Sequence, residues 1–329
     1  MLLHLCRIRF LLKILAFFNS LMTKNININI TKPEPFTLSI DWEDFGQVSA
    51  LAIDGILTSP KKAIERQTDI ILSMLDDTNV KATFFILGML ADARPDLLKK
   101  IANEGHEIAL HGMNHTAMFK LTEKQAFQDI NDSKNLVSDI TGQEIFGYRA
   151  PSFSILKENL YILDILYDLG FTYDSSIMPV KMPRYGIENF NTEAELYSLP
   201  RGGEIVELPL AIKEFGWRKW PISGGGYMRL MPKSIMHKIY SNFSEKNSDC
   251  MIYMHPYEFD TDKIDITQNL KNNQSLSTTK TLYLNFRWNF LRQSIRPKIK
   301  YLLQNYSFST AQEKAHYVKI TTNSPTILG

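Results

Sequence analysis

From Pro35 onward the chain repeats one pattern: short apolar runs of strand length, separated by longer stretches with helical periodicity. That alternation excludes most folds. "FTLSID" reads as a strand ending in a carboxylate, and "KKAIERQTDIILSMLDD" follows as a helix with Ile64, Ile71, Met74 and Leu75 on one face. "KATFFILG" is a buried strand closed by Gly88. "PDLLKKIANEG" has proline at the start of a helix and Gly105 at its C-cap, and "HEIALH" is the next strand. Thr122 and Gln125 make a capping box for a helix carrying Phe127, Ile130 and Val137, after which "EIFGYRAP" supplies strand and turn. Further rounds occur at "NLYILDILYDLGFTYDSS", "GGEIVELPL" and "SDCMIYMHPYEFD", with no interdomain linker between residues 36 and 260. Strands joined this way form either an open doubly wound sheet or a (β/α) barrel, and both hold their chemistry at the C-terminal ends of strands.

The reactive residues fall at those ends. Asp41, Glu43 and Asp44 follow "TLSI", His111 and His115 follow "EIAL", Arg149 follows "IFGY", Asp174 follows "FTY" and His255 follows "MIYM". The first strand lacks the G-x-G-x-x-G spacing of a dinucleotide site, which leaves carboxylates and histidines, a hydrolytic set. Imidazoles four residues apart reach one ion from a tight loop or helical turn, and a carboxylate from another strand completes a three-ligand site with open positions. Such an ion lowers the pKa of bound water and polarises a carbonyl, the two needs of amide or ester hydrolysis at neutral pH. A carboxylate then takes a proton and a histidine returns one to the leaving amine, roles that suit Asp41 and His255. Taken singly, each residue has a plainer reading: core histidines, a solvated acidic turn, a structural arginine, and a helix cap at Asp174 and Ser175. Their joint occurrence at successive strand exits favours the chemical one.

A formal charge of +2 gives no overall pull toward nucleic acid. Cys6 and Cys250 lie far apart, which excludes a disulfide framework or a cysteine zinc site and fits a reducing, cytoplasmic setting. In "MLLHLCRIRFLLKILAFFNSLM", Arg7, Arg9 and Lys13 interrupt any span of membrane-crossing length. The segment 1–34 reads either as an interfacial anchor giving peripheral membrane contact or as a lead from an upstream start, translation beginning at Met22.

The ordered set "SIDWEDF", "HGMNH", "YRAPSFS", "YDSS" and "YMHPYEFD" resembles the polysaccharide deacetylases of the NodB-homology group, carbohydrate esterase family 4, over roughly residues 36 to 310. "WRKWPISGGGYMRLMP" and "FRWNFLRQSIRPKIKYLLQNYSFSTAQE" are similar to segments of the branch found in exopolysaccharide loci. The resemblance implies an α/β fold, a distorted, incomplete (β/α) barrel, as one catalytic domain over 35–260, with a loop and basic helical extension over 261–329 packing on it. It implies a divalent metal, zinc by type, and hydrolysis of N-acetyl groups on amino sugars of a polysaccharide or oligosaccharide. His111 and His115 match the family's metal histidines, Arg149 the arginine that orients the catalytic carboxylate, and His255 the general acid. Asp174 is the expected partner orienting His255. The first motif departs from the family's two adjacent aspartates. The favoured assignment makes Asp41 the base and Asp44 the metal ligand; in the other, Glu43 takes one of these roles, since Asp41 and Glu43 share a face of an extended strand. A metal-independent amidase of this fold and a non-catalytic carbohydrate-binding protein are the alternatives.

Three further features have two readings each. Gly224 to Gly226 admit a sugar ring or a tight turn. Phe215, Trp217, Trp220 and Tyr227 stack on sugars or line a core. Arg287, Arg292, Arg296, Lys298 and Lys300 face an acidic partner or solvent. Residues 261–280 read as a mobile loop bordering the cleft.

Overall fold

The computed structural model describes residues 34–328, apart from 51, 52, 54, 183, 184, 216, 217 and 272–274. The N-terminal lead, Trp217 and the side chain of Phe215 therefore lie outside the described residues. The strands are β1 (Thr37–Trp42), β2 (Thr83–Ile86), β3 (Glu107–Leu110), β4 (Gly147–Tyr148), β5 (Tyr173–Asp174), β6 (Glu195–Ser198), β7 (Glu204–Glu207), β8 (Ile212–Phe215), β9 (Arg218–Pro221), β10 (Met251–Met254) and β11 (Thr326–Ile327). They form a sheet of order β10-β1-β2-β3-β4-β5-β7-β6-β11 with a separate β8–β9 hairpin. Every pairing from β10 across to β7 is parallel, and β6 joins antiparallel. Nearly sequential strand order with helical crossovers is barrel topology, left open between β10 and β11.

Alternation along the strands gives the sheet two apolar faces. Leu38, Ile40, Trp42, Phe84, Ile86, Ile108 and Leu110 point outward into the layer covered by helices. Phe85, Ala109, Tyr173, Val206 and Met251 point inward and fill the interior. Ser39 and Asp41 share that inward face, so the polar end of β1 enters the barrel where its apolar packing stops.

The C-terminal helices close the other end. Helix Ala311–Thr321 sends Ala311 and Ala315 into the inner cluster, its Ala311 N–H donating to Thr83 Oγ1 (2.8 Å) and its Gln312 N–H to Glu107 Oε2 (3.0 Å). Thr83 and Glu107 open β2 and β3, so this helix plugs the N-terminal mouth and leaves the C-terminal mouth for chemistry. The basic run is split. Arg292 and Lys298 are buried clamps, Arg292 donating to Tyr257 O (2.8 Å) and Lys298 to Met228 O (2.9 Å). Lys300 pairs with Asp77 (2.9 Å). The described part of the supposed mobile loop is likewise held: Ile266 is fully buried and Leu57 N–H donates to Asn269 O (2.7 Å).

Candidate active site

A cleft of about 1180 Å³ opens over the C-terminal strand ends, lined by Asp41, Glu43, His111, His115 and His255 with an aromatic wall that includes Phe119, Phe153, Tyr185, Tyr253 and Trp288. Trp220 and Tyr227, the described members of the expected aromatic cluster, are not in that lining, although Tyr227 hydrogen-bonds to Tyr185.

Asp41 is held by Arg149. The guanidinium is completely buried and donates from Nη1 to Asp41 Oδ1 (2.5 Å) and Ser39 Oγ (3.0 Å), from Nη2 to Ser175 Oγ (2.9 Å), and from Nε to Ser175 O (3.2 Å). Its face lies 3.9 Å from the centre of the Phe85 ring. A planar cation fixed on every side leaves the Asp41 carboxylate one orientation.

Glu43 and the two histidines meet across the chain from Asp41. The Glu43 N–H donates to Asp41 O (2.9 Å), a tight reversal that keeps both acids facing inward. Glu43 Oε2 lies 2.8 Å from His115 Nε2, and Glu43 Oε1 lies 3.9 Å from His111 Nε2 and 3.3 Å from His255 Nε2. "HGMNH" is a loop, with Gly112 (φ 73°) and His115 (φ 56°) both left-handed, which turns the two rings toward one point, their centroids 5.6 Å apart. His111 Nδ1 lies 2.7 Å from Arg149 O. A carbonyl only accepts, so Nδ1 carries the proton and Nε2 presents a lone pair to the acids. Burial lowers the His111 pKa and keeps that ring neutral.

The residues fit a cation. Among the described residues, Glu43, His111 and His115 each offer a ligand atom, all within 4.8 Å of one another, as do Asp41, Glu43 and His255. Glu43 Oε2 is buried with no aligned hydrogen-bond donor. Burial alone would raise the Glu43 pKa, but the charge of His115 and the close approach of His115 and His255 hold it below the usual carboxylate range. A buried carboxylate oxygen facing two imidazole nitrogens, with the His111 Nε2 lone pair aimed at it, makes a divalent-metal donor set.

Asp44 is absent from it, contrary to the favoured sequence assignment. It stands at the N-cap of helix Phe45–Ser49, its own N–H donating to Gln47 Oε1 (2.6 Å), and its Oδ2 accepts the Lys61 N–H (2.6 Å). Burial raises it to about 6. Asp174 is also elsewhere. It accepts Ser176 N–H (3.0 Å) and Ser176 Oγ–H (2.6 Å) and hydrogen-bonds to Glu207, its register partner on β7. Burial, with the charge of Asp174, pushes Glu207 well above the carboxylate range, so the pair shares a proton.

The carboxylate beside His255 is Glu258. His255 begins helix Pro256–Phe259, its N–H donating to Glu258 Oε2 (2.9 Å), and the same oxygen lies 3.4 Å from His255 Nδ1. Burial opposes charge on His255, but Glu258 and Glu43 overcome it and raise the ring to about 10. Gly225 backs this contact: a Cβ there would sit 1.8 Å from Glu258 Oε1. The glycine run thus serves a close approach by a carboxylate. Glu207 and Glu258 were not assigned roles from sequence, though His-Pro-Tyr-Glu carries the signal, proline at the first helical position and glutamate at the third.

Residues 51–173 match the family described as "Polysaccharide deacetylase", and residues 175–316 match a domain of unknown function (DUF3473). The peptidoglycan-N-acetylglucosamine deacetylase of Bacillus cereus is 37% identical over 90 residues, 27% of this chain and 33% of that protein. The peptidoglycan deacetylase of Helicobacter pylori is 29% identical over 153 residues, 42% of this chain and 50% of its own. The chain thus spans a third to a half of these relatives. In fold it is similar to a crystal structure described as a polysaccharide deacetylase from Mycobacterium smegmatis (TM-score 0.59, 16% identity, 92% of this chain and 99% of that one) and to Puue allantoinase (TM-score 0.56, 13% identity, 92% and 96%). The first matched stretch contains His111, His115 and Arg149, and the fold brings to them Asp41 and Glu43 from before it and His255 from the second. Residues 51–173 are thus identified as a polysaccharide deacetylase domain of the NodB-homology group.

Proposed function

We propose that this chain is a metal-dependent hydrolase that removes N-acetyl groups from amino sugars of a bacterial polysaccharide or its lipid-linked precursor. The observation that carries the reading is the orphaned, ionised Glu43 oxygen facing the ring nitrogens of His111 and His115. These three residues would hold the ion, zinc being the fitting choice for a two-histidine, one-carboxylate set. When bound, it supplies Lewis acidity to water and to the amide carbonyl. The other group, Asp41, Glu43 and His255, suits a cation less well because Arg149 already neutralises Asp41 at 2.5 Å. Asp41 is the base: Arg149 occupies Oδ1 and leaves Oδ2 to take a proton. His255, kept protonated by Glu258 and Glu43, delivers a proton to the departing amine. Arg149 and Glu258 position these two groups, and the aromatic wall suits the apolar faces of sugar rings.

The test is metal content and acetate release from N-acetylglucosamine oligomers, measured on the same samples. Near one zinc per wild-type chain is expected, lost in Glu43→Gln and in His111→Ala but retained in Asp44→Asn. Metal that follows Asp44 and not Glu43 would overturn the ligand assignment. Acetate release unaffected by His111→Ala would point to metal-free amide hydrolysis, and glycan binding with no acetate to a non-catalytic protein.

A further inference from the structure

Helix Thr278–Asn289 is apolar on the wrong side. Its inner face buries Leu284 and Trp288. About 120–160° from them round the axis, Leu282 and Phe286 are 66% and 59% exposed. The stripe continues past the helix end through Phe290 and Leu291, 37% and 42% exposed, the rings of Phe286 and Phe290 lying 4.8 Å apart. The outer face of a packed helix is ordinarily polar, and contiguous exposed Leu and Phe mark a contact surface.

Charge selects the partner. From Ile266 to Gln312 the chain contains no aspartate or glutamate, while Lys271, Lys280, Arg287, Arg292, Arg296, Lys298 and Lys300 all fall within it. Arg292 and Lys298 are buried and Lys300 is paired, but Lys271, Lys280, Arg287 and Arg296 are exposed. Arg287 leaves the striped helix about 100° round from Phe286, on its flank, and Lys280 is exposed in its first turn. Asp265, whose Oδ1 is engaged by Thr267 and approached by Asn285, is the acid next to this helix. A second copy of the chain would bring like charges together on such a surface, and so would residues 1–33, which also lack acids. An anionic bilayer answers both properties: acyl chains accept the Leu and Phe side chains while Lys and Arg reach the headgroups.

We propose that the Leu282–Phe286–Phe290–Leu291 face docks the protein on an anionic lipid surface. Docking there brings the bilayer against the helix that borders the catalytic cleft. Arg287 and Trp288 of the same helix line the cleft, Trp288 packs on Tyr257 (5.9 Å between centroids), and Tyr257 stacks on His255 (5.7 Å). A sugar carried on a membrane lipid would meet the site without leaving the surface, a consequence that rests on the hydrolytic reading above. The docking itself does not.

The experiment uses the full chain with Cys6→Ser and Phe286→Cys, labelled with an environment-sensitive fluorophore; Cys250 is buried and does not compete. The control carries the label through Phe127→Cys on helix Glu123–Thr141. With vesicles of phosphatidylcholine and phosphatidylglycerol, emission from position 286 should shift to the blue and be quenched by brominated lipid. Position 127 should do neither, and phosphatidylcholine alone should give no shift. Leu282→Ser with Phe286→Ser and Phe290→Ser should weaken vesicle binding roughly tenfold or more, with the thermal melt unchanged because these side chains are exposed. A probe at 286 that stays in water while the chain sediments with vesicles would overturn the proposal, as would failure to sediment. A dimer in solution that the serine substitutions dissociate would overturn it in favour of a second copy.

Discussion

Arg149 and Asp41 form a fully buried ion pair, and the structure predicts how its two halves fail. Arg149→Met removes the guanidinium and strands the Asp41 carboxylate, 2% exposed, without its cation. Breaking a buried pair from one side costs about 3–5 kcal/mol, and for a chain of this size that is a fall in Tm of roughly 10 °C. Asp41→Asn strands the cation instead, although Ser39 Oγ, Ser175 Oγ, Ser175 O and the Phe85 face still surround it, which places its cost at or below that of Arg149→Met. The double variant removes both charges. Ser39 Oγ still donates to Ile252 O (3.1 Å) and Ser175 Oγ to Leu208 O (2.7 Å), so the groups that lose a bond are the Ser175 carbonyl and the neutral amide introduced at position 41, with no charge stranded. The double variant is therefore expected to be no less stable than Arg149→Met alone, which makes the coupling at least as large as the cost of Asp41→Asn on its own. Urea and thermal unfolding of the four proteins give the cycle, and acetate release should be lost in all three variants. Additive costs would mean that Asp41 and Arg149 do not sense each other's charge, and with that the account of how Asp41 is oriented would fail.

Glu258→Gln removes a negative charge beside His255. The ring, raised to about 10, should titrate lower, and because its protonated form is the proposed donor, the alkaline limb of the pH–rate profile should move toward neutrality with metal content unchanged. The shift appearing in Asp174→Asn and not in Glu258→Gln would restore Asp174 as the partner. Glu207 holds its proton in the folded state well above the pH at which an unfolded glutamate loses it. The folded protein thus binds more protons at neutral and alkaline pH, so this group's contribution falls as pH rises from about 4. Glu207→Gln, which keeps the shape and has no proton to lose, should flatten that decline in stability measured from pH 5 to 9; an unchanged slope would show that Glu207 ionises normally.

The strand order and the placement of reactive residues were readable because polar residues ending apolar runs stand out, and parallel topology puts those ends on one rim. Glu207 did not stand out. It closes "GGEIVEL" as any edge acid would, and its partner Asp174 is reached only because β6 folds back antiparallel and lets β7 pair with β5. That the described part of 261–280 is held was equally hidden, since burial of Ile266 depends on segments distant in the chain.

The displacement of Asp44, and the choice of Glu258 over Asp174 beside His255, share a cause that was legible. At a strand–helix junction the acids compete for two kinds of partner, the active site and the unpaired N–H groups where a helix begins. Asp44 stands at an N-cap with Gln47 three residues on, and its carboxylate goes to the backbone of Lys61. Glu258 stands three residues after the N-cap His255, and the short helix turns its carboxylate back onto both the amide and the ring of that histidine. Capping thus withdraws one acid from the first motif and supplies one to the last. Counting acids by residue type gives three candidates for two roles at Asp41, Glu43 and Asp44. Counting them after helix starts are satisfied leaves Asp41 and Glu43, the two whose remaining partners are Arg149 and the histidines.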